Sequence, residues 1–119
     1  MTLRPVATGP RVAVLADDLI WATRLSEIVR RAGGEPVRVA SPALLRAALT
    51  TLDGCVVDLT SRSYDGIAAV SIATVGRVPT VAVGQHDDAE ARRAAREAGA
   101  VTVWAYRALF EHGDRDLGA

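Results

Sequence analysis

The sequence predicts a doubly wound α/β domain built on a parallel sheet of five strands, and three observations carry that prediction. Short apolar runs without alternation recur along the chain, as strands buried on both faces require. Segments with apolar residues at helical spacing lie between them. Gly, Pro and Asp punctuate the junctions, so strands and helices alternate in the order that gives a parallel sheet.

The first strand is Val12-Ala13-Val14-Leu15, ended by Asp17-Asp18. Leu25, Ile28, Val29 and Ala32 then form the inner face of a helix, with Arg24, Glu27, Arg30 and Arg31 opposite. Gly33-Gly34 stops it by allowing a left-handed turn. Val37-Arg38-Val39 is a weak second strand after Pro36. Ser41-Pro42 reads as an N-cap with proline at the first helical position, and Leu44, Leu45, Ala48 and Leu49 as that helix's inner face. Asp53-Gly54 turns into the third strand, Cys55-Val56-Val57, with Asp58 at its carboxyl end. Ile67, Val70, Ile72 and Val75 mark a third helix ending near Gly76.

Pro79 precedes a fourth strand, Thr80-Val81-Ala82-Val83. Asp87-Asp88-Ala89-Glu90 reads as a capping box with Asp87 as N-cap, opening an Arg- and Ala-rich helix that runs to Gly99. Val101-Thr102-Val103-Trp104 is the fifth strand. Arg107 to His112 is long enough for about two helical turns at most, so a fifth helix is shortened or missing. The expected organisation is a flexible lead over residues 1–10, one domain over 11–112 and a polar tail over 113–119.

Bulk composition narrows the function. The 119 residues are 50% apolar, enough for one real core. The 14 basic and 14 acidic residues cancel, so no global field recruits nucleic acid or an anionic membrane. No apolar run approaches the roughly 18 residues of a membrane span, and the N-terminus has no signal core. The lone Cys55 sits in an apolar run as a small hydrophobe. The expected location is cytoplasmic. All 14 basic residues are Arg and none is Lys, which has chemical consequences.

Carboxylates gather at one sheet edge. The first strand delivers Asp17 and Asp18, and the third delivers Asp58. In open α/β sheets, ligands bind at the carboxyl ends of the strands. Clustered carboxylates repel unless a cation or proton intervenes, and Mg²⁺ is a natural occupant. Each Asp alone also reads as a helix cap, Asp18 most easily. No organic cofactor motif accompanies the cluster: there is no phosphate-binding glycine loop, zinc spacing or nucleophile elbow.

From Cys55 to Gly66 the chain resembles the receiver domain of bacterial response regulators, the CheY-like, flavodoxin-like module of two-component signalling. Asp65-Gly66 arrives seven and eight positions after Asp58, the family spacing after its phosphoacceptor. The acidic pair after strand one, Gly33, Pro79 and Gly99-Ala100 also match, over roughly residues 11 to 106. The resemblance implies strand order 2-1-3-4-5, with Asp58 as phosphoacceptor. It also implies Mg²⁺ held by Asp17, Asp58 and the backbone carbonyl of Thr60. Counting back from Ala32-Gly33 places Asp17 at the second acidic position and Ala16 at the first. A shift of one residue would make Asp17 and Asp18 the pair. In the family reaction Asp58 would attack the phosphorus of a phosphohistidine. Beyond that self-phosphoryl transfer, no enzymatic activity is expected.

The sequence departs from the family where the signal is read out. Ser61-Arg62 replaces a Met-Pro pair. The Ser or Thr at the end of strand four falls at Gly84, the Lys after strand five at Tyr106, and the switch aromatic at Val103. Arg107 is one place beyond, and a planar guanidinium is no simple stand-in for a compact ammonium. Trp104, Tyr106, Leu109 and Phe110 either fold back onto the sheet or form an interaction surface, with a homodimer through the strand-five face as one form. His86 and His112 invite a catalytic or phosphohistidine reading, but His86 reads as a solvated loop histidine; Trp21 reads as packing on the first helix.

The leading expectation is therefore a degenerate (pseudo-) receiver acting through contacts with a signalling protein or histidine kinase. The alternatives are a receiver still phosphorylated on Asp58 in a His-to-Asp phosphorelay, or a flavodoxin-like domain binding a small ligand.

Overall fold

The computed structural model describes residues 9–85 and 88–105. It contains β1 (Arg11–Leu15), α1 (Leu19–Arg31), β2 (Glu35–Val39), α2 (Pro42–Ala48), a 3-10 turn (Leu49–Thr51) and β3 (Gly54–Asp58). There follow α3 (Gly66–Val75), β4 (Thr80–Gly84), α4 (Ala89–Glu97) and β5 (Thr102–Ala105). The strands form one parallel sheet in the order β2-β1-β3-β4-β5. The predicted fold class and strand order are those observed.

Alternate strand residues face opposite layers. Ala13, Leu15, Cys55, Val57 and Ala82 join a core with Leu45 of α2, Ala69, Val70 and Ala73 of α3, and Ala95 of α4. Val12, Val14, Val56 and Val83 face the other way, onto Ala22, Leu25, Ile28 and Val29 of α1. A fully buried Leu such as Leu25 is worth about 1.5–3 kcal/mol. A cap is typically worth about 1. Packing therefore holds α1 in place, and its cap sets where it starts.

Each α-helix begins on a side chain that accepts an N–H from its first turn. Asp18 serves α1, Ser41 α2, Asp65 α3 and Asp88 α4, at 3.0–3.2 Å. The expected capping box at α4 is thereby corrected. Asp88 is the N-cap, which puts Glu90 at the second helical position instead of the third. Asp87 lies outside the described residues.

Other expectations shift where an apolar residue is not a buried one. Leu44 on α2 is exposed, and only Leu45 of that helix is fully buried. Val75 is 85% exposed, because α3 turns its small residues Ala69 and Ala73 to the sheet with Val70. β2 starts at Glu35 and includes Pro36, which an edge strand tolerates. β5 runs one residue later than expected, over Thr102–Ala105. Pro10, in the expected lead, accepts the Glu35 N–H at 2.8 Å.

Two turns show where backbone freedom matters. Gly33 ends α1 at φ +92°, as its position predicts. At the end of α3 the left-handed residue is Arg77 (φ +61°), while Gly76 stays at φ −78°. A left-handed L-residue costs roughly 1–2 kcal/mol, partly offset in glycine by its greater unfolded entropy. Arg77→Gly is therefore expected to stabilise the domain by about 0.5 kcal/mol in urea denaturation. Gly99→Ala, at φ +115° with Thr74 against the new methyl, is expected to destabilise it by about 1–3 kcal/mol. The reverse order of stabilities would show that these turns are not under strain.

Candidate functional site

The site is built where three parallel strands end together. Leu15 of β1 lies opposite Val57 of β3, and Asp58 lies opposite Val83 of β4. The pairing continues one residue further, with Leu59 N–H donating to the Val83 carbonyl at 2.8 Å. Asp58 thus ends a central strand with strands on both sides, at 1% exposure.

A carboxylate buried so deeply needs donors. Thr60 supplies two to the same oxygen, Oδ1: its backbone N–H at 2.9 Å and its hydroxyl at 2.7 Å. Sequence reasoning assigned Thr60 only through its carbonyl. Its N–H and hydroxyl are what the structure engages.

The two acidic residues after β1 take different directions. Asp18 Oδ1 accepts the Trp21 N–H and starts α1. Asp17 is exposed, and its Oδ2 accepts a 2.7 Å hydrogen bond from the Ser63 hydroxyl, 46 residues away. Asp17, not Asp18, is thereby joined to the loop that follows Asp58. The Ser63 hydroxyl, with Ser61 behind it, holds the Asp17 carboxyl below its ordinary value. The Ser63 N–H donates to Ser61 Oγ at 3.1 Å, which bends the loop.

Tyr64 ties the same two strands from beneath. Its hydroxyl lies 2.9 Å from the Leu15 carbonyl oxygen and 2.7 Å from that of Asp58. Neither Ser63 nor Tyr64 was singled out by sequence reasoning. Two of their three bonds span more than 40 residues and the third joins loop to strand end, and nothing in the local pattern marks them. Gly66 lets α3 begin close to this point. A Cβ there would sit 3.1 Å from the Leu59 Cα and 3.4 Å from the Asp58 carbonyl oxygen.

Among the described residues, the ends of β4 and β5 add no such hydrogen-bonding side chain to Asp58. Gly84 ends β4 and offers no hydroxyl, and nothing in the backbone demands glycine there. A Cβ would meet only Leu59 side-chain atoms, at 3.5 and 3.8 Å. Val103 is half-buried against the α2–α3–α4 core, and Trp104 packs on the opposite layer with Val83 and the α1 residues. Tyr106, Arg107, Leu109 and Phe110 lie outside the described residues, as do His86 and His112. Trp21 is half-buried, with the Arg24 guanidinium 5.6 Å from its ring centre.

Two further features bound the chemistry. Burial pushes the Cys55 thiol up to about 12, which makes it a core residue and not a nucleophile. An open groove of about 420 Å³ runs beside Asp17, lined by Ala16, Arg38, Val39 and Ala40. Among the described residues no three His, Cys, Asp or Glu side chains gather around one point. The residues that the resemblance would give a cation are two carboxylates, Asp17 and Asp58, and the backbone carbonyl of Thr60. These hard oxygens suit Mg²⁺, which commonly binds through one or two carboxylates and keeps several waters.

No protein-family model matches the chain, and no curated protein matches it. Many solved structures share its fold. A CheY-like response regulator receiver domain protein from Methanospirillum hungatei is 18% identical, over 92% of this chain and 94% of its own, with a TM-score of 0.74. A LuxR-family two-component response regulator from Aurantimonas is 22% identical, over 92% and 86%, with a TM-score of 0.74. The receiver domain of a Pseudomonas aeruginosa sensor histidine kinase, with magnesium coordinated in its active-site cleft, is 20% identical over 93% and 99%, with a TM-score of 0.73. At these identities the likeness establishes the CheY-like, flavodoxin-like fold. No helix among the described residues is long and apolar enough to cross a membrane.

The Ser63–Asp17 bond has a titration consequence. A depressed carboxyl pKa contributes stability above the ordinary value of 3.8, and that contribution is lost as pH falls through the lower folded value. Ser63→Ala is expected to move the Asp17 carboxyl upward, towards 3.8, in a ¹³C NMR titration. An unmoved Asp17 resonance would show that the bond is not formed in solution.

Proposed function

We propose that this chain is a receiver-like signalling domain that works through protein–protein contacts, with its phosphorylation switch lost or altered. Gly84 carries this reading. It ends the strand beside Asp58 with no hydroxyl to offer a phosphoryl group, and neither strain nor lack of space accounts for it. The absence of any lysine supports the same conclusion, since no ammonium can pair with an acyl phosphate.

The acceptor itself argues for a second reading, in which Asp58 still receives phosphoryl groups but with altered lifetime. Asp58 is fixed at the strand end by Thr60 and tied to β1 through Tyr64. In that reaction a carboxylate oxygen of Asp58 forms a bond to phosphorus as the bond to the donor's leaving group breaks. Mg²⁺ held by Asp17, Asp58 and the Thr60 carbonyl would offset charge on the transferring group. Ala16 stands where the resemblance expects a first acid, which leaves the site with less negative charge to attract the ion. The partner is a signalling protein such as a histidine kinase, and a homodimer through the β5 face remains part of the proposal.

Incubation with Mg²⁺ and acetyl phosphate, followed by intact mass measurement, tests both readings. The expected result is no long-lived phosphoryl adduct on the native chain. Restoring the missing groups in Gly84→Ser/Tyr106→Lys is expected to raise Asp58-dependent adduct at least about tenfold, an effect of roughly 1.4 kcal/mol. A stable adduct on the native chain, absent in Asp58→Ala and accompanied by a conformational change, would overturn the pseudo-receiver reading.

A further inference from the structure

β1 ends at Leu15 and β3 at Asp58, with Leu15 still paired to Val57. The loop after β3 adds further ties at these two strand ends. Tyr64 packs its ring against the α2–α3–α4 core and brings its hydroxyl within 3 Å of both the Leu15 and the Asp58 carbonyl oxygens. One hydroxyl thus bridges the last residues of both strands, in addition to the sheet pairing there. The next residue back, Ser63, donates to Asp17 Oδ2 and sets the direction of that carboxylate. Ser61 Oγ accepts the Ser63 N–H and holds the bend that lets both side chains reach β1.

We propose that Ser63 and Tyr64 are positioning residues for divalent-cation binding: Tyr64 fixes the separation of the strand ends that carry Asp17 and Asp58, and Ser63 orients the Asp17 carboxylate. This rests on the reading of that edge as a Mg²⁺ site. Residues that hydrogen-bond metal ligands orient them, and their loss typically costs 10–100-fold in metal affinity. A carboxylate already held in place spares the cation the cost of ordering it. Two successive side chains of the loop reach back 46 and 49 residues in sequence, one to Asp17 after β1 and one to Leu15 at its end.

Mg²⁺ titration by isothermal calorimetry tests the proposal on the native chain, Ser63→Ala, Ser63→Thr and Tyr64→Phe, with thermal unfolding in the absence of Mg²⁺ as control. Ser63→Ala and Tyr64→Phe are each expected to weaken Mg²⁺ binding by about tenfold or more. Ser63→Thr keeps the hydroxyl and should stay close to the native affinity. The unfolding midpoint of Ser63→Ala should fall only slightly, by the loss of the one bond to Asp17, because Ser63 is exposed. Ser63→Ala therefore carries the test alone if Tyr64→Phe loses its fold. Native-like affinity in Ser63→Ala would overturn the positioning roles and leave the cation site standing. No Mg²⁺ binding by the native chain would overturn both.

Discussion

Placing a carboxylate at 1% exposure in the middle of a sheet is the constraint on which the rest of this molecule depends. An ionised group taken out of water loses several kcal/mol unless donors replace the water. Thr60 returns two donors to one Asp58 oxygen within two residues of chain, which forces the loop into a tight turn at once. That turn delivers Ser61 and Ser63 towards Asp17 and Tyr64 beneath the strand ends. Gly66 then allows α3 to begin hard against Leu59 and the Asp58 carbonyl. The order of the whole edge follows from the need to satisfy one side chain.

The fold was legible because burial on both faces leaves a plain mark. Val12–Leu15, Cys55–Val57 and Thr80–Val83 are apolar without alternation, and only a central parallel strand has that requirement. Errors arose where hydrophobicity and burial part company. In α3 nearly every residue is apolar, so periodicity could not show that Ala69, Val70 and Ala73 face inward and Val75 outward. The capping position of α4 was ambiguous because Asp87 and Asp88 are adjacent and equally suited by type. Arg77 adopts the left-handed turn that its neighbour Gly76 would have taken at lower cost.

At the candidate site, Asp58 stood out in the sequence and the residues that support it did not. The interval from Asp58 to Asp65-Gly66 is a local pattern, and local patterns survive in a sequence. The Ser63 to Asp17 and Tyr64 to Leu15 bonds join segments more than 40 residues apart. Serine and tyrosine in a polar loop carry no mark of such a partner. The choice between Asp17 and Asp18 had the same origin. It depended on which carboxylate the loop reaches and which one the helix end takes.

These supports fall on one side of the site. The hydroxyls of Thr60, Ser63 and Tyr64 bind Asp58, Asp17 and the ends of β1 and β3. On the other side, β4 ends in Gly84, and β5 sets the half-buried Val103 against the core. A receiver transmits its state by drawing the ends of β4 and β5 towards a phosphoryl group, and that requires a side chain on each with something to gain. Gly84 gains nothing, because it has no group to bond. An arginine near β5 would gain little that a compact ammonium gains, since its charge is spread over a planar fork. In the proposed reading, a ligand or a charge held at the β1–β3 edge would leave the end of β4 unmoved, and a partner would meet one fixed surface, as at a binding module and not at a switch.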